Sequence, residues 1–234
     1  MNKHGWADAA TLVRDYVVKI ETPDSYGSGF LISYRDDLNT TRKLVIATAY
    51  HVVEHALKWS EVIRITKNNV QVQLLPGERE ILTLESRDLA LVIIDVVDTF
   101  SFPDKVLPAI NPKAELPPGL PVGWSGFPNI ADNHNCFFAG HISAAIDDSG
   151  DYYVDGVVIH GVSGAPAFIE HDDEVLLIGL ISAYLPNRAS GEALPGMTVI
   201  RSVNPFTEYF HDENVQAKKS VKKQRPTRGK KGRK

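Results

Sequence analysis

The stretch "VIATAYHVVEH" (45–55) decides how this chain is read. His51, Glu54 and His55 satisfy H-x-x-E-H, a pattern that binds zinc when both histidines lie on one face of a helix. The same letters also read as the end of an apolar strand, "KLVIATA" (43–49), that hands on a single histidine for use as a base. Val45, Ile46 and Thr48 are β-branched, and a short run of such residues favours a strand. A single turn of helix over "HVVEHALKW" (51–59) is compatible with that strand. A zinc site would also need a third ligand, commonly a Glu on a helix further on, and no long downstream helical pattern presents one. His51 is therefore not read as a metal ligand, and Glu54 and His55 are read as solvated residues behind it.

Outward from this stretch the pattern is mostly β. Short apolar runs bounded by Gly, Pro, Asn or Asp recur: "YVVKI", "GFLISY", "KLVIATA", "VIRIT", "VQVQLL", "LALVII", "PVGWSGF", "FFAGHISAAI", "YYVDGVVI", "PAFI", "EVLLIGLISAY" and "GMTVIRSV". About a dozen short strands at this spacing predict a sandwich or barrel, or two of them. A short N-terminal helix is expected over 7–17 and a short closing helix over 204–215.

The chain has 234 residues, 43% of them hydrophobic, enough for one large domain or two small ones. Its single cysteine, Cys136, excludes an intrachain disulfide. The first residues lack the apolar core of a signal peptide, and no run approaches the ~18 apolar residues of a membrane span. A cytoplasmic protein without a membrane span is expected. Residues 218–234 carry ten Lys or Arg and no acid. Removing those ten from the 25 basic residues leaves 15 against 29 acidic ones, a net charge of −14 over 1–217. The tail has almost no apolar residues and is expected to be disordered. It could bind an anionic partner, nucleic acid or an acidic surface, whereas the body would repel phosphate. It could also fold back on the body, or serve only as a solubilising extension.

Three local motifs carry chemistry. His51 follows one apolar strand, Asp88 precedes another in "SRDLALVII", and Ser163 lies between glycines in "HGVSGAPAF". A serine hydroxyl is a poor nucleophile unless a base takes its proton, and that base needs a partner to fix its tautomer. The order His, Asp, Ser is one of three known for such triads. Gly161 can adopt a backbone forbidden to other residues. Its N–H and that of Ser163 would form a hole for a developing oxyanion, each donor contributing ~3 kcal/mol.

Together these motifs resemble a chymotrypsin-fold serine protease, most like the HtrA/Deg-type branch without PDZ domains. "GSGFLI" (27–32), "TAYHVV" (48–53), "DLALVII" (88–94), "GWSGFPN" (123–129), "AGHISA" (139–144), "GVSGAP" (161–166) and "IGLISA" (178–183) match its motifs in order. Asp155 stands eight residues before the serine, where that family usually has an Asp. The resemblance implies a mainly β fold of two packed six-stranded antiparallel barrels, roughly 15–105 and 118–203, within a protease domain over 1–217. It implies serine endopeptidase activity through His51, Asp88 and Ser163, with an oxyanion hole at Gly161 and Ser163. Ser182 falls where the family has a serine bonded to the triad aspartate. Val157 would form the base of the primary pocket, with Ser182, Ala183 and Tyr184 as its wall and His160 on the rim. None of the base and wall residues is charged, so cleavage after a small or medium apolar residue is expected rather than after Lys or Arg.

Two departures stand out. Val162 replaces a polar residue that anchors the oxyanion loop, which leaves open from sequence whether the loop is ready or waits for a trigger. Ala165 replaces a glycine and is expected to be tolerated. His134 and His141 flank Cys136 without zinc-site spacing, so no metal and no cofactor are expected. The partner implied is a protein or peptide substrate, and the oligomeric state is not legible. The competing class is a non-catalytic module of the same fold, recruited through its basic tail.

Overall fold

The computed structural model describes residues 5–36, 42–95, 100–131, 133–146, 149–186 and 193–206. Two compact units are distinguished, Met1–Ser202 and Val203–Lys234. Of the second, residues 204–206 are helical, at the start of the expected closing helix. The remainder of that stretch and the basic tail lie outside the described residues.

The first half of the larger unit begins with helix α1 (Trp6–Arg14). A seven-stranded sheet follows, made of β1 (Val17–Glu21), β2 (Tyr26–Asp36), β3 (Arg42–Ala49), β4 (Ile63–Lys67), β5 (Val70–Leu74), β6 (Arg79–Leu84) and β7 (Leu89–Asp95). Its spatial order is β5-β4-β1-β2-β3-β7-β6. The apolar runs of β3 and β7 are buried along almost their whole length, because both lie inside the sheet with side chains packed on each face. The first half is therefore a seven-stranded half-barrel, where the family resemblance implies a closed barrel of six strands. The extra strand is β6, "REILTL". Its residues are all half-buried or exposed, so it carries neither a continuous apolar run nor a clean alternation.

The second half is a closed six-stranded barrel, as expected. It contains β8 (Pro121–Gly126), β9 (Cys136–Ile146), β10 (Asp151–Asp155), β11 (Pro166–His171), β12 (Glu174–Pro186) and β13 (Ala193–Arg201), in the order β10-β13-β12-β11-β8-β9. Trp124, Val122, Ile142, Val154, Ile181 and Ile200 form its core. Helix α1 covers one side: the Trp6 ring lies 5.7 Å from that of Phe137 and 6.0 Å from that of Phe168. No cis peptide bond occurs among the described residues. No helix among them is long and apolar enough to cross a membrane.

The stretch 45–55 combines its two readings. Strand β3 ends at Ala49, and helix α2 (Tyr50–Lys58) starts at the next residue. His51 therefore lies in the first turn of a helix, directly after the buried strand.

Candidate active site

The register of β3 on β7 builds the first half of the site. Ala49 lies opposite Leu89, so His51 and Asp88 emerge at the same end of the sheet. The Asp88 carbonyl accepts the Tyr50 N–H at 3.1 Å, which ties the start of α2 to the head of β7. Asp88 itself is left-handed, φ 54° and ψ 42°, at the end of the 3-10 turn Glu85–Arg87. Aspartate tolerates this region better than most residues. Its carboxylate Oδ1 accepts the His51 N–H at 2.9 Å, and His51 Nδ1 stands 3.0 Å from Oδ1 and 2.9 Å from Oδ2. With Nδ1–H donated to the carboxylate, Nε2 is the basic nitrogen.

Burial alone would push the Asp88 carboxyl up. The hydrogen bond and charge of the His51 ring, the Ser182 hydroxyl and the His51 amide outweigh that and hold it below the ordinary carboxylate value. The Ser182 bond comes from the other half of the molecule: Oγ donates to Asp88 Oδ2 at 2.6 Å, and Ser182 is 1% exposed. A bulge aims it. Ile181 pairs with Ile200 and Tyr184 with Thr198, so β12 carries one extra residue between those pairs.

Ser163 sits in a turn between two left-handed glycines, Gly161 at φ 94° and Gly164 at φ 85°. The turn is pressed against the first sheet. A Cβ on Gly164 would stand 2.1 Å from the Ser28 carbonyl and 2.5 Å from Thr48 Oγ1, and one on Gly27 would meet Val52 at 2.5 Å and the Ser163 carbonyl at 2.8 Å. Val52 adjoins His51, so Gly27 is where helix α2 and the serine turn come together. The Ser163 hydroxyl makes no hydrogen bond among the described residues, so the expected His51–Ser163 bond is not formed here.

The expected oxyanion donors are oriented by their neighbours. The His160 carbonyl accepts the Asn129 N–H at 2.8 Å, and in a trans peptide the following N–H, that of Gly161, points the opposite way. The N–H groups of Gly161 and Ser163 have no partner among the described residues. Val162 is fully buried in the barrel core beside Ala165 and Trp124. An apolar anchor thus stands at the position where the family resemblance implies a polar one.

Ser28 is a site residue that the sequence does not single out. It is fully buried, its Oγ donates to the Gly161 carbonyl at 2.7 Å and accepts the Phe127 N–H at 2.9 Å, and its own N–H donates to the Ser163 carbonyl at 2.7 Å. The one local signal is a serine between two glycines, Gly27 and Gly29, within an otherwise apolar strand.

The specificity residues divide. Val157 is 57% exposed, where an enclosed pocket base would bury it. His160 is exposed. Ser182 commits its hydroxyl to Asp88 rather than to a pocket wall. Ala183 and Tyr184 continue β12, but their side chains lie outside the described residues.

His51 and His55 share helix α2, yet their rings enter separate carboxylate pairs. His55 Nδ1 lies 2.8 Å from Glu61 Oε2 and its Nε2 lies 3.2 Å from Asp24 Oδ2, while Glu54 pairs with Lys58. No cluster of three or more His, Cys, Asp or Glu that could hold a metal occurs among the described residues.

The fold has counterparts among solved structures. Rv3671c from M. tuberculosis H37Rv, in the inactive form of a serine-to-alanine mutant, superposes with a TM-score of 0.59 at 16% identity, over 94% of this chain and 92% of that one. The inactive form of the Rv3671c protease superposes with a TM-score of 0.58 at 18% identity, over 86% and 89%. The chain has a chymotrypsin-like fold. No protein-family model matches the chain, and no curated protein matches it in sequence.

Proposed function

We propose that this chain is a serine endopeptidase in which Ser163 is the nucleophile, His51 its base and Asp88 the orienting carboxylate. The observation that carries the reading is the His51–Asp88 pair, braced by Ser182 from the opposite barrel and set at the junction that also holds the Ser163 turn. A carboxylate held ionised against Nδ1 keeps the imidazole in the tautomer whose Nε2 accepts a proton.

In the proposed reaction Nε2 takes the Ser163 proton as Oγ bonds to the scissile carbonyl carbon. The charge that develops on the carbonyl oxygen is met by the N–H groups of Gly161 and Ser163. His51 then gives its proton to the leaving amine as the C–N bond breaks. Water, deprotonated by the same nitrogen, hydrolyses the acyl-enzyme. Because the Ser163 hydroxyl has no partner among the described residues, the His51–Ser163 bond forms on substrate binding in this reading, as such bonds often tighten in the bound state. The substrate class is peptide, with a small or medium apolar residue before the cleaved bond.

The test is covalent labelling with a fluorophosphonate probe. Wild-type protein is expected to label stoichiometrically and Ser163→Ala not at all. Equal labelling of the two, or none of either with or without added peptide, would overturn the assignment.

A further inference from the structure

An ion cluster around a buried carboxylate ties the residue preceding Asp88 to the opposite barrel. Asp151, the first residue of β10, is 2% exposed. Its Oδ1 accepts Arg87 Nη2 and, at 2.8 Å, the Ser202 N–H, and its Oδ2 accepts Arg201 Nη1 at 2.9 Å. Arg87 Nη2 also donates to the Ser149 carbonyl at 3.1 Å. A buried carboxylate is retained only when it is met this fully.

The four groups come from different places. Arg201 and Ser202 belong to the stretch that forms the closed barrel, so their contacts with Asp151 are internal to it, and the Ser149 carbonyl of the same stretch receives Arg87 from outside. Arg87 comes from the first half of the molecule, as the last residue of the turn that leaves Asp88 left-handed. That conformation is unfavourable for a residue with a Cβ and persists only where the surroundings over-determine it. Here the Asp88 carbonyl is held by Tyr50 N–H on one side, and the Arg87 guanidinium is drawn into the opposite barrel on the other. The turn cannot relax without breaking one of these.

We propose that Asp151 is a positioning residue: through Arg87 it holds the left-handed turn at Asp88 and so the aim of that carboxylate on His51 Nδ1. The kinetic part of the proposal rests on the protease reading above; the geometric part does not. Arg201 supplies the internal comparison. It binds the same carboxylate but makes no direct bond to the Asp88 turn among the described residues.

The experiment compares Arg87→Ala, Arg87→Lys and Arg201→Ala with wild type by three measurements. These are the low-field proton resonance of the His51 Nδ1–H, the rate of fluorophosphonate labelling and the midpoint of thermal unfolding. Arg87→Ala is expected to lose the resonance and to label at least ~10-fold more slowly, the penalty of a small misplacement in an active site. Arg201→Ala is expected to lower the unfolding midpoint as much or more, keep the resonance, and label within about twofold of wild type. Arg87→Lys, which keeps the charge but not the planar fork, is expected to fall between and covers the case in which Arg87→Ala does not fold. An unchanged resonance in the folded Arg87 variants, equal loss of it in Arg201→Ala, or its absence from wild type would each overturn the proposal. A wild-type resonance without Ser163-dependent labelling would instead refute the protease reading and leave the positioning of Asp88 to be decided by the resonance alone.

Discussion

In the first half of the molecule the sheet ends on two edge strands, β5 and β6, whereas in the second half β9 and β10 pair and no edge is left. The edge strands show how the open sheet is protected. Both are short, and their residues are mostly half-buried or exposed, with Gln71 and Gln73 on one and Arg79 and Glu80 on the other. The two halves also supply the site differently. His51 and Asp88 are placed by strand register, Ala49 opposite Leu89, which follows from the packing of two largely buried strands. Ser163 is placed by an irregular turn with two left-handed glycines, held in part by groups of the other half. His51 and Asp88 are thus preset within one sheet, while Ser163 depends on the junction.

The largest effect expected from this difference is in the closed barrel. Trp124 is fully buried among its core residues, and Trp124→Ala is expected to destabilise the protein by about 3–5 kcal/mol in urea unfolding. Val70→Ala, on the edge strand β5 at 38% exposure, is expected to change stability by no more than about 0.5 kcal/mol. A β5 substitution as damaging as the core one would break the contrast between a tolerant edge and a cooperative barrel.

Next in size is the junction. In Gly164→Ala the new Cβ meets the Ser28 carbonyl and Thr48 at a φ of 85°, so the serine turn must move away from β3. Labelling is expected to fall by ~100-fold. Gly77→Ala has open space around it and is expected to label like wild type. A Gly164→Ala protein that labels normally would show that the nucleophile does not need the first sheet against it.

The smallest effect concerns Ser182 and pH. Asp88 titrates below its ordinary value of 3.8 in the folded chain. A carboxyl depressed by folding contributes stability that is fully present above its unfolded value and is lost as pH falls through the folded one. Ser182→Ala removes one of the bonds that lower it, so the loss should be smaller and complete at a higher pH. The bond, made to a charged group, is expected to contribute roughly 1.5–3 kcal/mol near neutral pH. Urea midpoints measured from about pH 2 to 7 for wild type, Ser182→Ala and Asp88→Asn check this. If Asp88→Asn shows the same acid limb as wild type, the carboxylate is not the group responsible.

Much of the site is legible in the order of residues alone. His51 after a β-branched run, Asp88 before another and Ser163 among glycines are local features. Their chemistry depends on residue type and order, which a sequence displays directly. Strand β6 is not legible, because an edge strand facing solvent on much of its surface shows no apolar period. Ser28 is hidden for a related reason: a buried hydroxyl is distinguished only by the partners it finds. The helix at Tyr50–Lys58 reads from sequence as a single turn, since Val52, Val53 and Ala56 bury one face that extends the apolar run of strand β3.

What the sequence determines alone is the strands other than β6, the histidine handed on by β3, and the order in which His51, Asp88 and Ser163 occur. These follow from local propensity and from side-chain chemistry. The tertiary structure decides which of two histidines on one helix meets Asp88, how Val162 replaces a polar anchor, and that Asp151 reaches across to Arg87. Those depend on register and on closure of one sheet against another, which bring together residues dozens of positions apart. No periodicity in the chain records such distances, because the contacts exist only once both sheets are packed.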